Sequence, residues 1–238
     1  MSIEFNIKTR KNCKDVWNAF MVKNAIYTKA DIPTFKSTSI IPKQLISYDD
    51  AKRLIKQNPD SYYPDLFVHC FIDDQIFDGK NNSIWINPKE TLELLKHFVG
   101  AISPDFSTYV DFPFPIIIYN IYRAQAFGYW LTQNGINVIQ NARWGYQDTW
   151  PYFFDCIPKY SNVCIGTVGS SLKKLKSRAL FNEGILELVK RIQPNNIIVY
   201  GSANYPVFNQ IKKMGIKIIQ FESKTNIAFK GGKDVKID

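Results

Sequence analysis

The sequence is poor in residues that bind metals or form disulfides, and it lacks long apolar runs. Its 238 residues include 4 Cys and 2 His, and no two Cys stand in a CxxC pair. We therefore expect reduced thiols and no metal site. No window approaches the roughly 18 apolar residues of a membrane span, and the first residues form no apolar run. The sequence thus predicts a cytoplasmic globular protein with no signal peptide and no membrane contact.

The excess of positive charge lies almost entirely in the last third of the chain. Residues 171–238 hold 13 Lys and Arg against 5 Asp and Glu, whereas residues 1–170 hold 17 against 16. A localised basic excess can attract polyanions, so we predict a nucleic-acid-binding face. The alternative is a solvated basic surface with no partner. The predicted nucleic-acid-binding residues are Lys173, Lys174, Lys176 and Arg178.

Apolar runs alternate with segments of helical periodicity from residue 66 onward, which is typical of βαβ units. The predicted strands are 66–72, 103–110, 136–141, 162–168, 197–201 and 216–221. The predicted helices are 47–56, 87–98, 116–133, 172–192 and 207–214. We expect a single α/β domain over residues 61–238, with a mostly parallel five- to six-stranded sheet flanked by helices. An irregular N-terminal extension, residues 1–60, would pack on it. We favour an open doubly wound sheet over an eight-unit barrel.

The stretch NVCIGTVGSSLKKLKSR, residues 162–178, joins an apolar run to a basic helical segment. Gly166 and Gly169 would let the backbone approach a ligand, and Ser170 or Ser171 would cap the following helix. The N-terminus of a helix favours an anion, so the stretch is compatible with a phosphate cradle, although the spacing of a P-loop is absent. The alternative is an ordinary turn between a strand and a helix.

Aromatic residues are concentrated in NARWGYQDTWPYFFDCIPKY, residues 141–160. Arg143 and Trp144 follow a predicted strand, where an Arg can pair with an anion and a Trp can stack on a planar ring. Because Arg is rarely buried without a partner, we interpret Arg143 as functional. The alternative for the aromatic residues is that they pack in the core.

Ligands of parallel α/β sheets bind beyond the carboxyl ends of the strands, and this rule selects the candidate site. The predicted ligand-binding residues are Asp105, Asn141, Arg143, Trp144, Thr167, Gly169, Ser170, Ser171, Tyr200 and Ser202. Carboxylates are available for acid–base chemistry, but none stands in a diagnostic pair, and Ser202 lacks the second Gly of a nucleophile elbow. The sequence names no catalytic residue and no cofactor, and it leaves open whether bonds are broken.

Four short elements carry a resemblance to a known family. They are Arg143-Trp144-Gly145, Phe154-Asp155 with Ile157-Pro158, residues 161–169, and Pro194 followed by Val199-Tyr200-Gly201. Over about residues 100–222 the chain resembles the family called domain of unknown function 4417, whose members are often found on phages and other mobile elements. The resemblance is weak in the N-terminal third. It implies a phage or mobile-element origin, which would place the protein in the cytoplasm of a host cell, and it supplies no reaction.

We expect the protein to bind a phosphate-bearing ligand, either a nucleotide or a nucleic-acid end. Arg143 would contact the charge, the turn at 166–171 would surround it, and Trp144 or Tyr200 would stack on the base. In a mobile element this activity would fit DNA metabolism or capture of a host nucleotide signal. The alternatives are a non-catalytic nucleic-acid-binding accessory protein, which would use the basic last third, and an interaction protein that blocks a host factor.

Overall fold

The structure, a computed structural model, describes Asp15 and residues 17–224, so Cys13 lies outside the described residues. A short 3-10 helix (Ala19–Val22) and an antiparallel pair, β1 (Ile26–Tyr27) and β2 (Pro33–Thr34), precede the main sheet. The strands of that sheet are β3 (Gln44–Ser47), β4 (Tyr63–His69), β5 (Phe98–Ile102), β6 (Asn137–Asn141), β7 (Val163–Gly166), β8 (Asn196–Tyr200) and β9 (Lys217–Phe221). The α-helices are α1 (Tyr48–Gln57), α2 (Asp74–Phe77), α3 (Pro88–Leu95), α4 (Phe114–Gln133), α5 (Trp150–Phe154), α6 (Leu175–Ile192) and α7 (Pro206–Lys213).

The predicted α/β class and the parallel sheet are confirmed, but the strand count is corrected. Within the described residues the sheet has seven strands, all paired in parallel, and not five or six. One added strand is β3, which lies within the first 60 residues together with α1. The prediction of a strand at 103–110 is wrong. The strand in this part of the chain is β5, which ends at Ile102, and the residues after it form a loop. Pro104 has no N–H for the ladder, so pairing ends before it.

Strand order along the sheet follows chain order from β3 to β9, so the expectation of a doubly wound sheet is wrong. Crossovers that keep one hand and always move to the next strand place their helices on one face of the sheet. Two apolar clusters fill the space between that face and the helices. The buried residues of a third cluster come from strands alone and cover the opposite face: Phe67, Ile102, Ile139, Cys164 and Ile198.

The face without helices is enclosed because the sheet curls on itself. The ring centroids of His69, at the end of β4, and Tyr200, at the end of β8, lie 4.3 Å apart. Three strands separate β4 from β8, and four steps across a flat sheet would span about 19 Å. Lys224, which follows β9, forms ion pairs with Asp49 and Asp50, which follow β3. Among the described residues no backbone ladder joins β3 to β9, and we call this gap the seam.

The irregular segment before β3 crosses the sheet between β6 and β7. Thr38 N–H donates to Val138 O at 2.8 Å, and Asn162 Nδ2 donates to Thr38 O at 2.9 Å. Gln140 N–H donates to Ser37 Oγ at 3.0 Å. β6 and β7 pair at only two positions, so these bonds satisfy backbone groups that the splayed strands leave open. The N-terminal segment is therefore held against the sheet.

The ends of α4 follow local sequence rules. The helix begins beside Pro113, and it ends at Asn134-Gly135, as predicted. Gly135 has a φ of 82°, in the left-handed region that favours glycine after a helix. With 20 residues α4 is the longest described helix, and no described helix is long and apolar enough to cross a membrane.

Candidate ligand-binding site

A cavity of about 230 Å³ lies at the carboxyl ends of β6 and β7. It is lined by the loop after β5, by the residues after β6, by the turn after β7 and by one side of α6. Arg143 and the turn at 166–171 reach the same cavity because β6 and β7 are neighbours. The polar and aromatic lining residues are Thr108, Tyr109, Arg143, Trp144, Ser170, Ser171, Ser177 and Phe181, and the others include Gly166, Gly169 and Leu172.

Arg143 is held from one side by a carboxylate. Asp105 Oδ1 lies 3.3 Å from Arg143 Nε, and Nη1 donates to Oδ2 at 3.4 Å. Asn141 Nδ2 donates to Asp105 Oδ1 at 2.7 Å and fixes the carboxylate in turn. The Arg143 side chain is 27% exposed and that of Asp105 is 13% exposed. A guanidinium has five N–H donors, so this arrangement orients Arg143 and leaves donors for a ligand in the cavity.

Trp144 forms a wall of the cavity and also packs in the core. Its ring centroid lies 5.1 Å from that of Phe181 and 6.3 Å from that of Phe154. A Cβ atom at Gly184 would overlap the indole, so that glycine makes room for the ring. The aromatic residues of α5 pack in or against the core, and Trp150 Nε1 donates to Gly145 O at 3.2 Å. Of this aromatic segment, Trp144 is the residue that meets the cavity.

The turn after β7 differs from the predicted capped helix. α6 begins at Leu175, not at residue 172, and Lys174 occupies its N-cap position with no side-chain hydrogen bond. Ser170 Oγ donates to Gly166 O at 3.2 Å instead of capping the helix. Ser171 is left-handed with a φ of 50°, and its carbonyl accepts from Lys174 N–H. The predicted serine cap is therefore wrong, and both serines belong to the turn that lines the cavity.

The two glycines of this turn have different roles. Gly169 is left-handed, with a φ of 78°, and a Cβ there would meet nothing within 4 Å. A Cβ at Gly166 would lie 3.0 Å from the Phe71 ring, which covers it inside the curled sheet. Gly166 is thus needed for packing, and Gly169 for the path of the backbone beside the cavity.

The remaining predicted ligand-binding residues lie outside the cavity lining. Asp105 pairs with Arg143, which lines the cavity, and Asn141 lines a smaller adjoining chamber. Thr167 N–H donates to Tyr200 O at 3.0 Å, which ties the turn to β8. Tyr200 points into the curled sheet, where its ring stacks on Phe71 with centroids 5.2 Å apart. Ser202 Oγ accepts from Asn204 N–H in the loop after β8.

Comparison with known proteins places the chain in a family. The sequence profile described as domain of unknown function (DUF4417) matches residues 25–222, from before β1 to just past β9. The chain belongs to the DUF4417 family. The resemblance seen in the sequence is thereby confirmed, and the match extends further toward the N-terminus than the motifs alone indicated.

Two relatives of this DUF4417 protein are encoded by mycobacteriophages. The Gene 1 protein of Mycobacterium phage D29 is 31% identical over 176 residues, which are 74% of this chain and 62% of that protein. The Gene 1 protein of Mycobacterium phage L5 is 29% identical over 177 residues, or 74% of this chain and 72% of that protein. The chain thus matches less than two thirds of the D29 protein. No solved structure matches the chain.

The predicted nucleic-acid-binding residues lie next to the cavity and fall into two groups. Lys173, Lys174 and Lys176 are exposed at the start of α6. Arg178 is half-buried, and it donates from Nε to Leu172 O at 2.9 Å and from Nη2 to Lys173 O at 3.3 Å. Arg178 therefore stabilises the turn, and the three lysines are the charges available to solvent.

A second cluster of titratable residues lies at the seam, and it was not predicted because β3 was not recognised. Asp49 and Asp50 pair with Lys224 and Arg53. Burial alone would raise the pKa of Asp49, but the Ser47 hydroxyl and the charges of Lys224 and Arg53 outweigh it and lower that pKa. Burial lowers the pKa of Lys224, and the charge of Arg53 lowers it further. The charge of Asp49 acts in the opposite direction. These charges are engaged with one another across the seam.

His69 lies inside the curled sheet beside this cluster. Burial, and then the charge of Lys224, lowers the pKa of His69 to about 3, so the imidazole is neutral at pH 7. Phe71 N–H donates to His69 Nδ1 at 3.1 Å, which places the ring proton on Nε2. Within the described residues no three His, Cys, Asp or Glu side chains are grouped as metal ligands.

Several cavity residues were missed from the sequence. Thr108 and Tyr109 belong to the loop after β5, which was predicted as a strand. Placing that strand at its true position, before Pro104, would have put both residues beyond a carboxyl end. Ser177 and Phe181 come from the side of α6, and the helical spacing of these two residues was the signal available for them.

Proposed function

We propose that this protein binds a phosphate-bearing ligand of about nucleotide size in the cavity at the ends of β6 and β7. The observation that carries the proposal is that Arg143 and the turn at 166–171 line one cavity. The guanidinium supplies charge-assisted donors, and the turn supplies the hydroxyl of Ser171. Binding sites of this fold class lie at this end of the strands, which agrees with the placement.

The shape of the cavity favours a ligand with a planar part. Trp144 forms one wall and Tyr109 lies exposed at the rim, so a base can stack on either ring. At about 230 Å³ the cavity lies just below the usual range of ligand pockets, roughly 300 to 1,000 Å³. A single nucleotide, or the terminal nucleotide of a strand, suits this volume better than an extended cofactor.

The relatives suggest the setting in which this binding occurs. Because the D29 and L5 proteins are phage-encoded, we infer that a phage or other mobile element encodes this protein. It would then act in the cytoplasm of the host cell, in DNA metabolism or in capture of a host nucleotide signal.

A thermal-shift panel tests the proposal. The compounds are nucleoside monophosphates, sugar phosphates and cyclic oligonucleotides, each paired with its phosphate-free counterpart. A compound at a hundredfold excess over its dissociation constant stabilises the folded state by about 2.7 kcal/mol, which raises the unfolding temperature by about 5 to 10 °C. We expect such a shift with a phosphate compound, and no shift with its counterpart or with the Arg143→Ala variant. No shift with any compound, or an equal shift in the variant, would overturn the proposal.

The exposed lysines at the start of α6 favour a second candidate, a non-catalytic nucleic-acid-binding protein. Lys173, Lys174 and Lys176 would contact phosphates along a strand whose end enters the cavity. A triple Lys→Ala variant at these positions should weaken binding of single-stranded DNA and lower the slope of log affinity against log salt by about 2.

The matched control for this candidate changes three exposed lysines near the end of α7 to Ala, Lys212, Lys213 and Lys217. This control removes the same net charge from a different surface. It should leave the slope of log affinity against log salt unchanged. DNA affinity that does not respond to salt, or an equal loss in both triple variants, would contradict this second candidate.

A further inference from the structure

Behind Arg143 and Thr108 lies a second chamber of about 20 Å³, large enough for one group the size of a water molecule. Its polar lining comes from Thr108, Asn120, Gln125, Asn141 and Arg143. Thr108 and Arg143 also line the larger cavity, so the two spaces share a boundary.

Three side-chain atoms of this chamber are buried and have no hydrogen-bond partner among the described residues. They are Thr108 Oγ1, Gln125 Oε1 and Asn141 Oδ1. The three residues are 7%, 4% and 9% exposed. A buried polar atom without a partner costs free energy, so three of them around one chamber point to a group that occupies it.

The neighbouring hydrogen bonds show that the two amides present acceptors to the chamber. Asn141 Nδ2 donates to the Asp105 carboxylate, which accepts only, so Asn141 Oδ1 is the free atom. Gln140 Nε2 donates to the backbone carbonyl of Phe35, which leaves Gln140 Oε1 to accept from Gln125 Nε2 at 3.1 Å. Gln125 Oε1 is therefore free as well, and neither amide can be reversed without losing a bond.

This chemistry selects the occupant. Two free acceptors require a group with two hydrogens to donate, and the Arg143 guanidinium in the same lining disfavours a cation. A carbonyl or carboxylate would leave both acceptors unpaired, and a hydroxyl would satisfy one. A water molecule and a planar amino group each donate two hydrogen bonds without carrying charge, and the amino group of a bound base would displace a water from the chamber. We propose that the chamber is a recognition subsite for the amino group of a nucleotide base.

The inference rests on the proposed function, because the amino group enters as part of the phosphate-bearing ligand in the adjoining cavity. The ligand class becomes a nucleotide with an amino-substituted base, such as adenine, cytosine or guanine. Bases without that group would bind more weakly, since they leave Gln125 Oε1 and Asn141 Oδ1 unpaired.

The test is calorimetric titration of the full chain with matched pairs of nucleotides. The pairs are adenosine and purine riboside 5′-monophosphates, cytidine and zebularine 5′-monophosphates, and guanosine and inosine 5′-monophosphates. We expect at least one pair in which the amino compound binds about tenfold tighter or more. Equal affinities within every pair, lost on Arg143→Ala, would overturn the subsite and leave the proposed function standing. No binding by any of the six would overturn the subsite, and the sugar phosphates and cyclic oligonucleotides of the thermal-shift panel would then decide the proposed function.

Two substitutions at Gln125 locate the effect. Gln125→Met removes the acceptor and Gln125→Glu keeps one. Neither offers the amide donor that now binds Gln140, and Gln125→Glu also buries a carboxylate, so the affinity ratio of the amino and amino-free compounds is compared within each variant. We expect Gln125→Met to reduce the preference for the amino compound to about threefold or less, and Gln125→Glu to retain the preference. A preference that survives in Gln125→Met would overturn the assignment to this chamber. If neither variant folds, the wild-type pairs decide the question.

Discussion

At the scale of single residues, Arg143 shows how a side chain can be both structural and available. Asp105 orients the guanidinium, and Asn141 holds Asp105. Asn141 then presents its remaining oxygen to the chamber behind Arg143. One amide thus links the proposed charge-binding residue to the proposed base-recognition subsite. All three residues were predicted from the sequence: Asn141 ends the predicted strand at 136–141 and Arg143 follows it, whereas Asp105 lies within the strand wrongly predicted at 103–110.

His69 provides a prediction at the same scale that is independent of any ligand. Its pKa is about 3 in the folded protein, against 6.5 for an ordinary imidazole. Between these values the unfolded chain binds a proton that the folded chain does not, so stability is lost as the pH falls. We expect the free energy of unfolding to drop by about 2 kcal/mol from pH 7 to pH 5 through His69 alone.

Urea unfolding of the His69→Gln variant at the two pH values checks this prediction. The difference between pH 7 and pH 5 should shrink by about 2 kcal/mol relative to wild type. The control is His97→Gln, which changes the other His of the chain, a half-buried residue just before β5 that contacts Ser61 O. The control should keep the wild-type difference, and the account of His69 fails if both variants behave alike.

At the scale of elements, the turn between β7 and α6 shows where local rules fail. Gly-x-x-Gly-Ser-Ser before a periodic segment is a reasonable helix start, yet the helix begins later. Leu172 is buried in an apolar cluster between the sheet and its helices, and Arg178 donates to the carbonyls of Leu172 and Lys173. Those tertiary contacts hold the residues before Leu175 in a turn. Helix capping preferences near 1 kcal/mol are readily outweighed by such contacts.

The seam gives a prediction for two elements at once. β3 and β9 approach through the ion pairs of Lys224 with Asp49 and Asp50, and not through a ladder. Lys224→Met should therefore speed amide hydrogen exchange in β3 and β9 and leave the exchange of β6 and β7 unchanged. Because Lys224 is half-exposed, we expect a loss in overall stability of at most about 1 kcal/mol.

Lys96→Met is the matched control for the seam, since it removes one exposed ion pair within α3 and its last turn, away from the seam. Exchange in the two edge strands should match wild type in this control. Unchanged exchange at β3 and β9 in Lys224→Met would show that the seam does not depend on these ion pairs.

At the scale of the whole molecule, the alternation of apolar runs and helices predicted the class and most elements. β3 and β5 were missed for physical reasons. β3 has four residues, of which one is exposed and one is half-buried, so its sequence contains little of the apolar pattern that predicts a strand. β5 follows α3 after only two residues, and its apolar run continues the helical pattern of the preceding segment. Without these strands the sequence could not indicate seven strands in chain order, or the curl that follows.

The site was predicted in part for a related reason. The convergence of Arg143 with the turn at 166–171 depends on β6 and β7 being neighbours, which only the sheet order reveals. Tyr200 was expected beside the ligand, but Ile198 two residues earlier faces the interior of the curled sheet, and alternation along a strand directs Tyr200 the same way. Position at a strand end was therefore insufficient, and the facing of each side chain decides which residues meet the cavity.

The most direct test of the central claim compares two arginine variants in one calorimetric titration. The ligand is the phosphate compound that gives the largest thermal shift, and the proteins are wild type, Arg143→Ala and Arg191→Ala. Arg191 pairs with Glu187 and Asp155 near the far end of α6, so its variant removes the same charge away from the cavity. We predict a loss of about tenfold to a hundredfold in affinity for Arg143→Ala and less than about twofold for Arg191→Ala. Equal affinities of Arg143→Ala and wild type would contradict the account.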